Sequence, residues 1–206
     1  SGSIGDECQR AADLYARADR LDESIMLLTK LTKALPNALV ARLLLGQVAL
    51  RAGRPALAVT EFTEVVKQVP QNPWARLSLA TAYVAAGKPQ EGLAEFDRLG
   101  KALAKNPTYH VQRGRAYAML GREREAVEAA EQARRLAPSS PQPYLLLGQI
   151  YAARKDMAKA QEMYARALEV APQLTSTRVA LGYLYDLEGK PAAAIQEYDA
   201  VLQTDP

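Results

Sequence analysis

Apolar residues along this chain fall into paired blocks, each with three- and four-residue spacing, and the paired pattern returns every 34 residues without an insertion. That spacing predicts amphipathic helices, two to a repeat. Counted from Gly5, Leu39, Pro73, Pro107, Pro141 and Thr175, the eighth position is always small: Ala12, Gly46, Ala80, Gly114, Gly148 and Gly182. The eleventh holds Tyr15, Ala49, Tyr83, Tyr117, Tyr151 and Tyr185, half of the chain's 10 tyrosines. The twentieth is small again (Ser24, Ala58, Gly92, Ala126, Ala160, Ala194). The twenty-fourth reads Leu28, Phe62, Phe96, Ala130, Tyr164 and Tyr198, and so takes both phenylalanines.

Between the two blocks of a repeat, Gly53, Gly87, Gly121 and Gly189 supply a residue suited to a left-handed helix end. Pro55, Pro89 and Pro191 follow two residues later, where proline opens a helix without losing a needed donor. Pro36, Pro70, Pro138, Pro172 and Pro206 close the second helices at position thirty-two, where the third repeat has Ala104. Small residues at eight and twenty allow close helix approach, and the aromatics fill the space beside them. A lone hairpin leaves an apolar face bare, so hairpins stack and share a continuous core. Replacing Phe62 or Phe96 by Ala is expected to cost ~3–5 kcal/mol.

This register resembles the tetratricopeptide repeat family over residues 5–206, as six repeats: 5–38, 39–72, 73–106, 107–140, 141–174 and 175–206. The resemblance implies an all-α fold, a right-handed α-solenoid of antiparallel helix pairs forming a single array. Residues 1–4 read as a cloning scar or a disordered leader. One position departs from the family: its Trp at position four is replaced by Cys8, Arg42, Arg76, His110, Tyr144 and Arg178. Two irregularities stand out. Gly92 and Gly100 fall within the second helix of repeat three, each at ~1 kcal/mol relative to Ala. With Ala104 in place of the closing proline, that helix is expected to run on toward Asn106 as the weakest in the middle of the array. Repeat six carries no polar capping helix, which suggests a piece of a longer array or larger protein, or else an end covered by a dimer mate.

Composition narrows the function. A net charge of +3 is too small to argue for nucleic acid. No apolar run reaches the ~18 residues that span a bilayer, so no direct membrane insertion is expected. The single cysteine excludes an internal disulfide or a multi-cysteine zinc site, and no cofactor is expected. His110 and Cys8, the one histidine and the one cysteine, sit three repeats apart, too far for a nucleophile–base pair. Both read better as packed side chains at position four. The carboxylates Glu123, Glu125, Glu128 and Glu131 have the spacing of solvated partners for nearby arginines. The chain is therefore not expected to be an enzyme.

The family resemblance implies that the first helices line an inner, concave surface. The candidate partner-binding residues are then Leu43, Gln47, Leu50 and Arg51 in repeat two, and Trp74, Leu77 and Thr81 in repeat three. Val111, Arg115 and Met119 follow in repeat four, and Leu145 and Gln149 in repeat five. They describe a largely apolar trough with amides, hydroxyls and two arginines, suited to an amphipathic helix or an extended apolar segment. The competing reading makes Leu43, Leu77, Val84 and Leu145 core residues, and lets Trp74 cover the Pro73 turn. The family's carboxylate clamp does not fit, because its positions carry Gln9, Asp13, Gln47 and Leu77; nor does an asparagine ladder.

By repeat, the charge is acidic in the first and sixth and mildly basic between, which disfavours plain end-to-end stacking. The function expected is a protein–protein interaction scaffold that binds a peptide or helix of a partner, from a larger bacterial assembly or secretion protein. Periplasm or cell envelope is favoured over cytoplasm. The alternatives are a structural spacer or self-association module, and a recruiting arm of an enzyme with its catalytic domain elsewhere.

Overall fold

The computed structural model describes residues 4–204 and is built from helices throughout. The chain divides in sequence between Leu103 and Ala104 into two compact units. Residues 1–3 of the leader reading, and Pro206 at the last closing position, lie outside the described residues. Ile4 is already helical.

The first unit contains α1 (Ile4–Arg17), α2 (Leu21–Ala34), α3 (Leu39–Arg51), α4 (Pro55–Gln68), α5 (Pro73–Ala85) and α6 (Pro89–Leu99), then a 3₁₀ turn over Gly100–Leu103. Each odd helix packs on the even helix that follows it, and α2 on α3 and α4 on α5 join the hairpins. Ile25, Leu28 and Leu31 of the first hairpin close on Leu45 and Val48 of the second. Ala58 and Phe62 of the second then close on Leu79 and Ala82 of the third. Phe62 and Phe96 are both fully buried, as their register requires.

The second unit contains α7 (Pro107–Met119), α8 (Glu123–Leu136), α9 (Pro141–Ala153), α10 (Met157–Val170), α11 (Thr175–Leu187) and α12 (Pro191–Thr204). The pairing is the same, with α8 on α9 and α10 on α11. Tyr164 and Leu168 of α10 meet Leu181 and Leu184 of α11.

The turns follow the sequence signals and extend them. Gly53, Gly87, Gly121 and Gly189 all have positive φ, near 70°. In the first and fifth repeats Asp19 (φ 58°) and Lys155 (φ 59°) take the same conformation, although neither is glycine. Sterics disfavour it for them, and the packed hairpin holds it in place.

Repeat three corrects one expectation. Its second helix does not run on toward Asn106: α6 stops at Leu99, and Gly100 adopts φ 42°, ψ −120°, a conformation closed to ordinary residues, before the 3₁₀ turn. Gly92 also has a use that a propensity scale misses. A β-carbon there would lie 2.8 Å from Val84 Cγ2 and 3.2 Å from the Ala80 carbonyl oxygen, so its glycine lets α5 and α6 approach. In repeat three the glycine of the hairpin crossing has moved from position eight to position twenty.

Candidate binding surface

Five of the six position-four residues, all but Cys8, share one task. Arg42 Nε donates to the Pro36 carbonyl at 2.9 Å and Arg76 Nε to the Pro70 carbonyl at 3.2 Å. His110 Nε2 lies 2.7 Å from the Ala104 carbonyl, Tyr144 Oη donates to Pro138 at 3.1 Å, and Arg178 donates to Pro172 at 3.3 Å. Each acceptor lies six residues back, just past the preceding second helix or, for Ala104, just past the 3₁₀ turn that follows α6, where carbonyls lack intrahelical donors. Three of these side chains also reach a glutamate of their own hairpin: Arg42–Glu61 at 2.6 Å, Arg76–Glu95 at 2.7 Å and Arg178–Glu197 at 3.1 Å. Glu95 is held by Arg98 as well.

This binds His110 into packing, edge-on to Tyr109, while Cys8 packs half-buried against the first core cluster. His110 lines a cleft of about 350 Å³ with Arg113, Tyr117, Glu125 and Glu128. The carboxylates of α8 behave as helix-surface partners: Glu125 pairs with Arg122, Glu131 with Arg134 and Glu123 with Arg154. Glu125 is held below the usual carboxylate range chiefly by its hydrogen bond from Arg122. Among the described residues, no helix is long and apolar enough to cross a membrane.

The candidate partner-binding residues separate by burial. In the first unit Gln47, Arg51 and Trp74 are exposed; Leu43, Leu50 and Thr81 are half-buried; Leu77 is buried. Leu43 and Leu50 lean on the cluster formed by the second and third hairpins, which gives them a packing role as well as an accessible edge. Leu77 offers no surface, since position five sits where neighbouring first helices meet. Arg51 lies 3.6 Å from Asp19 of the preceding hairpin, an ion pair exposed on both sides.

Trp74 is the clearest surface feature, with 57 % of its area exposed. It stands in the first turn of α5, where the Asn72 side chain accepts from the Trp74 and Ala75 backbone N–H groups and fixes the helix start. Val40 occupies the same register position on α3 and is equally exposed. The sequence signal for Val40 is its apolar character at position two, the register of Trp74.

In the second unit Arg115, Met119 and Gln149 are exposed, Leu145 is half-buried against the α10–α11 cluster, and Val111 is buried. Val111 forms part of a cleft of about 190 Å³ with Thr108, Gln112, Ser140, Gln142 and Pro143, which has no charged lining residue.

The architecture is that of a helical-repeat scaffold, and sequence models identify which one. Tetratricopeptide repeat models match residues 10–73, 49–114, 107–150, and 141–174 with 175–206. The chain belongs to the tetratricopeptide repeat family, whose members serve as protein–protein interaction scaffolds. Among solved structures, TTC0263, a tetratricopeptide repeat protein of Thermus thermophilus, is 23% identical with a TM-score of 0.74, over 88% of this chain and 98% of that one. PilW, a type IV pilus biogenesis factor, is 14% identical with a TM-score of 0.78, over 100% and 94%. MamA from Desulfovibrio magneticus RS-1 is 19% identical with a TM-score of 0.65, over 82% and 96%. At these identities the likeness is one of fold. A search of curated proteins finds no match.

Proposed function

We propose that the chain docks a protein partner on the exposed face of α3 and α5, taking an amphipathic helix or an extended apolar segment. The observation that carries this is the pair Val40 and Trp74, exposed at one register position on successive first helices. Leu43 and Leu50 supply accessible apolar edges beside them, and Gln47 and Thr81 supply uncharged hydrogen-bonding groups. A solvent-exposed tryptophan backed by apolar neighbours has the make-up of an interface hot spot. Arg51 stands exposed at the end of α3, 3.6 Å from the likewise solvated Asp19, and is the cationic group at the edge of this face.

The second unit contributes a separate surface: the exposed Arg115, Met119 and Gln149, and the uncharged cleft beside Val111. The fold shared with PilW supports a place in a bacterial assembly at the cell envelope. Panning the protein against a display library of helical and extended peptides tests the reading. Selected peptides should carry apolar anchors and lose binding to Trp74→Ala and Val40→Asp; undiminished binding to both variants removes this face from the site.

A further inference from the structure

Taking the second unit as a binding surface, we propose that the face of α7 and α9 holds an acidic segment of a protein partner, whose carboxylates meet Arg115 and Lys155.

Lys155 stands at φ 59°, where lysine is strained and glycine is not. The turn has no need of its side chain. Lys155 N–H donates to the Ala152 carbonyl at 2.9 Å, and Asp156 N–H to the Tyr151 carbonyl at 2.9 Å. One repeat earlier, Gly121 and Arg122 make the same two bonds, to Ala118 at 3.1 Å and Tyr117 at 2.9 Å. Asp19 also takes the left-handed conformation, but aspartate tolerates it better, and its carboxylate lies 3.6 Å from Arg51. Lys155 has neither compensation: it is exposed, and no carboxylate pairs with it among the described residues. A strained residue whose side chain serves no bond within the fold points to a use outside it.

Its surroundings complete a docking face. Ala153 is exposed at the end of α9, two residues before Lys155. Met119 holds the same register on α7, which packs against α9, and is 48% exposed. Gln149 and Arg115 stand exposed one turn earlier on the two helices. Arg115, like Lys155, has no ion pair among the described residues. The carboxylates of the neighbouring turns are already held: Glu123 by Arg154 at 3.4 Å, Asp156 by Lys159 at 3.1 Å and Glu188 by Lys190 at 2.8 Å. Arg115 and Lys155 thus flank an apolar strip as unmatched cations. The complement is a segment with carboxylates beside apolar side chains. Asp186, one first helix farther on, has no cation against it among the described residues, which places the acidic stretch over α7 and α9. A nucleic acid backbone would match the cations but leave Met119 and Ala153 uncovered.

A displayed peptide library, panned on the whole chain after depletion on the double variant Arg115→Gln with Lys155→Gly, tests this. Depletion removes peptides that need only the Trp74 face, so a failure here leaves that face standing. Both substituted residues are exposed, and unchanged circular dichroism verifies that the variants fold. Selected peptides should carry Glu or Asp beside Leu, Ile or Phe. Their affinity should fall roughly two- to fivefold in Lys155→Gly, hold in Lys155→Arg and weaken with added salt. An empty selection, selected peptides without acidic residues, or equal binding to Lys155→Gly and wild type overturns the proposal. So does a deoxythymidylate oligonucleotide that binds more tightly than any selected peptide and weakens in Lys155→Gly, which would give the surface to phosphate.

Discussion

The ring of Tyr164 fills the space that a side chain on Gly148 would need: a β-carbon on Gly148 would lie 2.5 Å from Tyr164 Cε1. Gly46 stands in the same relation to Phe62, and Gly182 to Tyr198. Glycine at position eight and an aromatic ring at position twenty-four are thus one device, which sets the distance between the two helices of a hairpin. Gly148→Ala should overpack the crossing of α9 and α10 and lower stability by about 1–3 kcal/mol, read from the urea midpoint. Pairing it with Tyr164→Leu should recover part of that loss.

Removing Arg42 strands Glu61, whose side chain is only 10% exposed. Breaking a buried pair from one side leaves an uncompensated charge, so Arg42→Ala should cost about 3 kcal/mol. Replacing the pair together, Arg42→Met with Glu61→Leu, should cost less than the sum of the single changes. A double-mutant cycle on chemical denaturation gives the coupling.

Burial holds the Tyr164 phenol above its ordinary pKa. The folded state therefore resists tyrosinate formation more than the unfolded chain does. Its contribution is complete below the unfolded value of about 10 and is lost as pH rises through the folded value. Unfolding free energy measured on either side of pH ~10 should fall less steeply in Tyr164→Phe than in wild type.

Lys155 holds a left-handed backbone conformation that glycine holds in four other repeats. Lys155→Gly should relieve strain worth about 1 kcal/mol, offset in part by glycine's greater unfolded-state entropy. The net effect on thermal midpoint should be neutral to stabilising, and Lys155→Val should lower it.

The helix pairs, their turns and the buried aromatics were legible because each depends on residue type at a fixed spacing. Phe62, Phe96, Gly53 and Gly87 show this. Asp19 and Lys155 were not legible as left-handed residues, because tertiary packing overrides their own preference. Gly92 and Gly100 looked alike in sequence yet act differently, one through a close approach and the other through a broken helix. The position-four side chains read as departures from a pattern. Their common purpose lies in carbonyls six residues back, and spacing between side chains carries no sign of a backbone acceptor. Among the candidate site residues of the two units the sequence placed Trp74, Gln47 and Arg115 at the surface, but it could not show that Leu77 and Val111 are buried or that Arg51 lies near Asp19. Exposure at positions five and thirteen depends on neighbouring hairpins.

Trp74 is the chain's only tryptophan, and its emission tests the docking face most directly. On addition of a peptide selected against the wild-type protein, emission should shift to the blue and lose sensitivity to acrylamide, and the same titration of Val40→Asp should show neither change. A peptide that binds with full affinity while Trp74 emission and quenching stay as in the free protein would contradict the assignment of α3 and α5 as the partner-binding face.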